Sequence, residues 1–108
     1  MYVKRLRLKN FRCYEDLDVE LSPNINIIYG KNAQGKTNLL EAVYYCATGR
    51  SHRTSYDKEC IRYDQDEAMI KIWYDKYKED QIEIHLRKNG RKSVAINGYP
   101  AKKINEHF

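Results

Sequence analysis

Polar and apolar residues alternate along the start of the chain. Over residues 2–10, Leu6 and Leu8 fall on one face and Val3, Arg5, Arg7 and Lys9 on the other, the period of a strand with one buried side. From Asp16 to Leu21 the alternation returns with Leu17, Val19 and Leu21, which predicts a hairpin with the first strand. Ser22-Pro23-Asn24 is turn chemistry, and Ile25-Asn26-Ile27-Ile28-Tyr29 is a short β-branched run ending at Gly30. Between Lys36 and Thr48 the period lengthens. Leu39, Leu40, Val43, Cys46 and Ala47 recur at spacings of three and four, so one apolar stripe of a helix is expected, closed by Gly49 in a left-handed cap. A polar, basic stretch, Arg50-Ser51-His52-Arg53-Thr54-Ser55, follows.

The second half keeps the period of two. Ala68, Ile70, Ile72 and Tyr74 alternate with polar residues, then Ile82, Ile84 and Leu86, then Val94 and Ile96. Asn89-Gly90 predicts a tight hairpin with both turn residues at positive φ, Asn97-Gly98 marks another turn, and a helix is expected from Pro100. The organisation read from these patterns is strands, loop and helix over 1–56, an antiparallel meander over 57–99 and the start of a helix over 100–108. No repeat, low-complexity segment or linker interrupts it.

Composition changes this picture little, and charge changes it more. At 108 residues and 42% hydrophobic, the chain can bury a core. No run of about eighteen apolar residues is present, so no membrane span is expected and a cytoplasmic protein is the default. Cys13, Cys46 and Cys60 are far apart, with no C-x-x-C pair, and read as reduced thiols in or near the core; His52, His85 and His107 are equally scattered, which argues against a metal site built from side chains alone. Ten tyrosines at strand spacing are expected mainly in core and cross-strand packing. The net charge of +5, from 20 Lys and Arg against 15 Asp and Glu, is compatible with a polyanionic partner.

The sharpest chemical signal is Gly30-Lys31-Asn32-Ala33-Gln34-Gly35-Lys36-Thr37, a full match to G-x-x-x-x-G-K-[ST] with an apolar strand before it and a helix after it. Gly30 and Gly35 let the backbone wrap closely around phosphate oxygens. Successive amides then form a nest for an anion at the positive end of the helix. Lys36 reaches for the β- and γ-phosphates, and the Thr37 hydroxyl is the expected ligand of a magnesium ion bridging them. With glycine near 7% of residues, a chance match in a chain of this length is on the order of a few per thousand. A nucleoside triphosphate, ATP, is the expected ligand. No Asp is followed by Gly at the D-x-x-G spacing of GTPases, and an antiparallel meander after the loop suits ATP-binding heads of the ABC type better than simple kinases.

Asn10-Phe11-Arg12, the loop 30–37, Asn38-Leu39-Leu40-Glu41-Ala42 and Thr48-Gly49-Arg50-Ser51-His52-Arg53-Thr54 together resemble the N-terminus of the RecF family, bacterial recombination and repair ATPases related to the SMC-like heads. The resemblance runs from Met1 to about Asn97. It implies an α/β P-loop NTPase, an ABC-like half-head with a mixed, largely antiparallel sheet packed around the P-loop helix. It also implies ATP with magnesium, DNA at single-strand gaps and duplex, an ATP-dependent homodimer, and action with RecO and RecR to load RecA in replication, repair and the SOS response. Asn38 joins the nucleotide-binding residues, and Arg12, by analogy with SMC-like heads, approaches the phosphates from the first strand; the alternative is a solvated arginine at a turn. The acidic Walker B pair, the signature motif and the second lobe have no match here, so the chain reads as an N-terminal piece, inactive alone, of a weak DNA-dependent ATPase. Alternatives are another SMC-like repair head or a P-loop small-molecule kinase.

Three basic clusters complete the expectations. Lys4, Arg5, Arg7, Lys9 and Arg12 crowd the first hairpin; Arg50, His52 and Arg53 follow the helix; Arg87, Lys88, Arg91 and Lys92 flank Asn89-Gly90 at one expected exposed tip. The last two are the DNA-contact candidates, since phosphates require only accessible positive charge. The alternative is solvated edge charge that keeps strands from aggregating.

Overall fold

The computed structural model describes residues 2–20, 33–51, 53–75 and 77–101, with Tyr2 and residues 33–37 described in the backbone alone. Two strands, β1 (Tyr2–Phe11) and β2 (Tyr14–Glu20), precede the helix α1 (Ala33–Thr48). A 3-10 turn (Asp57–Cys60) leads into β3 (Glu67–Asp75), β4 (Glu79–Arg87), β5 (Ser93–Ile96) and β6 (Tyr99–Ala101). These strands form one sheet in the order β2-β1-β3-β4-β5-β6, and every described pairing is antiparallel. The order places β1 between β2 and β3, so the connection from β2 to β3, which contains α1, passes β1 and sets the helix against the sheet. The run 25–29 lies outside the described residues.

Alternation decides which face is covered. Leu6 and Leu8, then Ala68, Ile70, Ile72 and Tyr74, then Ile82, Ile84 and Leu86, and finally Ile96 are buried in one cluster with Leu39, Ala42, Tyr45 and Cys46 of α1. The opposite face is a charge lattice. Arg5 forms a two-bond fork with Asp18 at 2.8 and 2.5 Å, Lys71 lies 3.7 Å from Glu83, and Trp73 is flanked by the cations of Arg5 and Lys71 at 4.6 and 4.9 Å. A register shift between Val3 and Arg5 marks a bulge in the β1–β3 ladder.

Four expectations change. The helix stripe is rotated: Leu40 is 61% exposed, and Asn38, Glu41, Ala42 and Tyr45 join Leu39 and Cys46 on the buried side. Apolar spacing alone fits two adjacent stripes, and the one observed buries Asn38 with hydrogen bonds to Cys13 and Arg53 and Glu41 with an ion pair to Arg12. The Asn-Gly pair with both residues at positive φ is Asn97 (54°) and Gly98 (85°), whereas neither Asn89 nor Gly90 is left-handed. The β4–β5 connection runs from Lys88 to Lys92, and a loop of that length needs no pair of left-handed residues. Pro100 and Ala101 belong to β6 rather than to a helix, with Pro100 on the outermost strand of the sheet, where a missing N–H breaks no ladder; residues 102–108 lie outside the described residues. Finally, Tyr45 and Tyr74 are core residues, but Tyr44, Tyr56, Tyr63, Tyr77 and Tyr99 are exposed. Among the described residues no helix is long and apolar enough to cross a membrane.

Candidate nucleotide site and its buried polar cluster

Helix α1 begins at Ala33, inside the glycine-rich motif rather than at Lys36. Its first turn, 33–36, therefore offers backbone N–H groups that have no acceptor within the helix. That turn carries no carboxylate to compete for the positive end of the helix dipole, so an anion fits there. Gly30, Lys31 and Asn32 lie outside the described residues. Ala33, Gln34, Gly35, Lys36 and Thr37 are placed by their backbone on the first turns of α1.

One residue further on, side chains converge. Asn38 is buried; its amide donates to Cys13 Sγ at 3.0 Å and its oxygen accepts from Arg53 Nη1 at 2.8 Å. Glu41, three positions on and on the same helix face, is 0% exposed. Arg12 grips it with two bonds of 2.8 Å, the Ser51 hydroxyl donates at 2.5 Å, and Arg53 Nη1 approaches to 3.5 Å. Burial on its own would raise the Glu41 carboxyl, but the bonds from Arg12 and Ser51 and the charges of Arg12 and Arg53 outweigh it and hold the group below the ordinary range. The same pairing raises the Arg12 guanidinium further. Beside them, burial and the Glu41 charge push the Cys60 thiol up to about 12, and burial raises Cys46, so neither is a reactive thiolate. Cys13, by contrast, is exposed rather than in the core.

Local backbone chemistry places each member. Arg12 adopts φ 52° at the β1–β2 turn, a left-handed conformation uncommon for arginine, and its N–H donates to the Cys60 carbonyl at 2.8 Å. Arg62 N–H returns a bond to the Asn10 carbonyl at 2.7 Å, which pins the turn against the segment after the helix. Gly49 closes α1 as expected, with φ 82° and an N–H bond to the Tyr45 carbonyl. Ser51 Oγ then accepts from the N–H groups of Arg53 and Thr54, a turn that folds Arg53 back toward Asn38. Glu41 and Ser51 were not singled out from the sequence; the legible signal was a single carboxylate inside the run 39–47, three positions after Asn38.

The basic candidates separate into two kinds. Arg50, Lys88 and Arg91 are exposed, and His52 lies outside the described residues. Arg53 is also exposed but its guanidinium is engaged by Asn38 and Glu41, and Lys92 is drawn off the tip: its ammonium donates to the Gly49 carbonyl at 2.7 Å and Tyr45 Oη at 3.1 Å and lies 3.3 Å from Asp57. It thus caps a helix whose last turn has no basic residue of its own. Arg87 bonds the Arg91 carbonyl and Ser93 Oγ, with Glu67 at 3.8 Å.

The sequence matches the AAA domain family over residues 5–107. The chain belongs to that AAA-domain family. Within the family it is similar to the DNA replication and repair protein RecF of Agathobacter rectalis, 54% identical over all of this chain and 30% of the relative. It therefore spans about a third of the length of the curated relatives it matches, and corresponds to an N-terminal RecF segment. A solved structure of the recombination mediator protein RecF-ATPrS in the RecFOR pathway superposes with a TM-score of 0.88 at 36% identity, covering 99% of this chain and 30% of that one. An SMC ATPase superposes with a TM-score of 0.84 at 24% identity, covering 98% of this chain and 76% of the other, a likeness of fold. The AAA-domain chain thus has the P-loop, ABC-type fold of the RecF and SMC heads.

Proposed function

We propose that this chain is the ATP-binding segment of a RecF-like DNA repair and replication ATPase. The observation that carries the proposal is a helix beginning inside a full G-x-x-x-x-G-K-T motif, in a chain whose relatives are RecF proteins. Residues Gly30–Thr37 hold the phosphates through backbone amides and Lys36, with Asn38 next to them. The Thr37 hydroxyl would hold magnesium alongside the nucleotide, and the ion would supply charge neutralisation at the phosphates. Arg12 approaches the phosphates from the β1–β2 turn. The whole protein dimerises on ATP, engages gapped and duplex DNA in the cytoplasm, and acts with RecO and RecR in loading RecA. The antiparallel sheet and the RecF relatives weigh against a small-molecule kinase.

Calorimetry of the intact protein tests the loop. Lys36→Ala removes the full charge directed at the β- and γ-phosphates, so most of the ATP affinity should vanish with the fold intact; unchanged affinity sinks the assignment. The 108-residue chain alone should show no ATPase activity above buffer, because phosphoryl transfer also needs a carboxylate to complete the magnesium site and a group to orient water. Turnover abolished by Lys36→Ala would refute that.

A further inference from the structure

Glu41 is fully buried, and among the described residues it receives two arginines. Here two guanidiniums share one carboxylate, so the cluster retains one positive charge beside the residues that follow the phosphate loop. Glu41 lies one helical turn, about 6 Å of axial rise, beyond Thr37. Arg12 is left-handed in the two-residue turn between β1 and β2, and from that turn its guanidinium reaches Glu41. The two-bond fork fixes the orientation of the guanidinium plane as well as its distance. Arg53 links the same carboxylate to Asn38, so the β1–β2 turn, the start of α1 and the segment after α1 all meet at one group.

We propose that Glu41 is a positioning residue of the nucleotide site, orienting Arg12 toward the phosphates; this rests on the ATP reading above. Glu41 does not touch the nucleotide. It acts through the guanidinium, whose remaining N–H groups and surplus charge meet the phosphate.

The test uses the full-length protein, titrated with ATP by calorimetry, each variant first shown to melt cooperatively. Glu41→Asp keeps the charge and shortens the reach by one methylene, so any change reports geometry rather than lost potential. Expected is ATP binding about tenfold weaker, the scale of one misplaced charge-assisted hydrogen bond. On an Arg12→Ala background, Glu41→Asp should make no further difference. Unchanged affinity in Glu41→Asp overturns the proposal, as does an equal loss on the Arg12→Ala background, which marks Glu41 as a docking group. Should Glu41→Asp not fold, Glu41→Gln in the same cycle decides by the same non-additivity. Wild-type protein that fails to bind ATP overturns the nucleotide reading and the proposal together. Wild-type binding that Lys36→Ala abolishes, with Glu41→Asp unaffected, overturns the positioning role alone.

Discussion

At the scale of single residues, the buried carboxylate of Glu41 dominates. Removing one partner of a buried pair leaves an uncompensated charge and costs about 3–5 kcal/mol, whereas exposed pairs such as Lys4–Glu79 contribute less than about 1 kcal/mol. The depressed Glu41 pKa gives this pair a pH signature. A carboxyl whose folded pKa lies below its unfolded one contributes stability that is complete above the unfolded value, ordinarily 4.5, and is lost as pH falls through the folded value. Wild type should therefore exceed Glu41→Gln in stability most at neutral pH, and the gap should close as pH falls below 4.5. Asp18, also held low by its Arg5 bond, titrates alike in both proteins and cancels in the difference. Urea unfolding of both proteins from about pH 7 to about pH 3 checks this. A gap independent of pH would mean that the ionised form of Glu41 is not what the fold stabilises.

At the scale of elements, turns separate positions that require glycine from those that do not. Gly98 has φ 85° with open space where a methyl group would project, so Gly98→Ala meets backbone strain alone, about 1–2 kcal/mol. Gly90 is not left-handed, and an added Cβ would sit at ordinary contact, 3.5 Å, from the Arg87 side chain. Gly90→Ala should be neutral or stabilise by about 0.4–1 kcal/mol through the unfolded chain. Denaturant midpoints of the two variants should move in opposite directions or, at least, Gly98→Ala alone should fall; equal losses would mean that the β5–β6 turn is not left-handed. The same pair shows what was legible in advance. Every described strand announced itself by period two except β6, whose three residues are too short to alternate visibly and contain a proline. The helix was legible in extent to within three residues but not in orientation, because Leu40 and Leu39 are equally apolar and only the pairing of Glu41 with Arg12, 29 positions away, decides which faces inward. The loop motif was legible because its chemistry is local; the Arg12–Glu41–Arg53 cluster was not, because it joins three segments distant in sequence.

At the scale of the whole molecule, the +5 charge is unevenly compensated. On the outer sheet face, Arg5 and Lys71 are matched by Asp18 and Glu83, and Arg7 has Asp16 at 4.0 Å, so that face has little long-range pull on a polyanion. The β4–β5 connection differs along its own length. Lys88 and Arg91 are exposed, while Lys92 is committed to the end of α1. If this connection contacts DNA in the intact protein, Lys88 and Arg91 supply the phosphate contacts and Lys92 does not. Each lost phosphate contact reduces the dependence of log K on log salt by about 0.9, so Lys88→Glu with Arg91→Glu should lower the slope by roughly 2 and leave the melting temperature near that of wild type. Lys92→Glu should behave in reverse. It sets a carboxylate against the Gly49 carbonyl and Asp57, at the negative end of the helix, and should lower stability by about 1–2 kcal/mol with the slope nearly unchanged. Duplex binding measured across a salt series, beside thermal melts of the same proteins, separates the two effects. Equal slopes in wild type and the Lys88/Arg91 variant would leave the tip as solvated edge charge, and would move the search for DNA contacts to the exposed Arg50 after the helix.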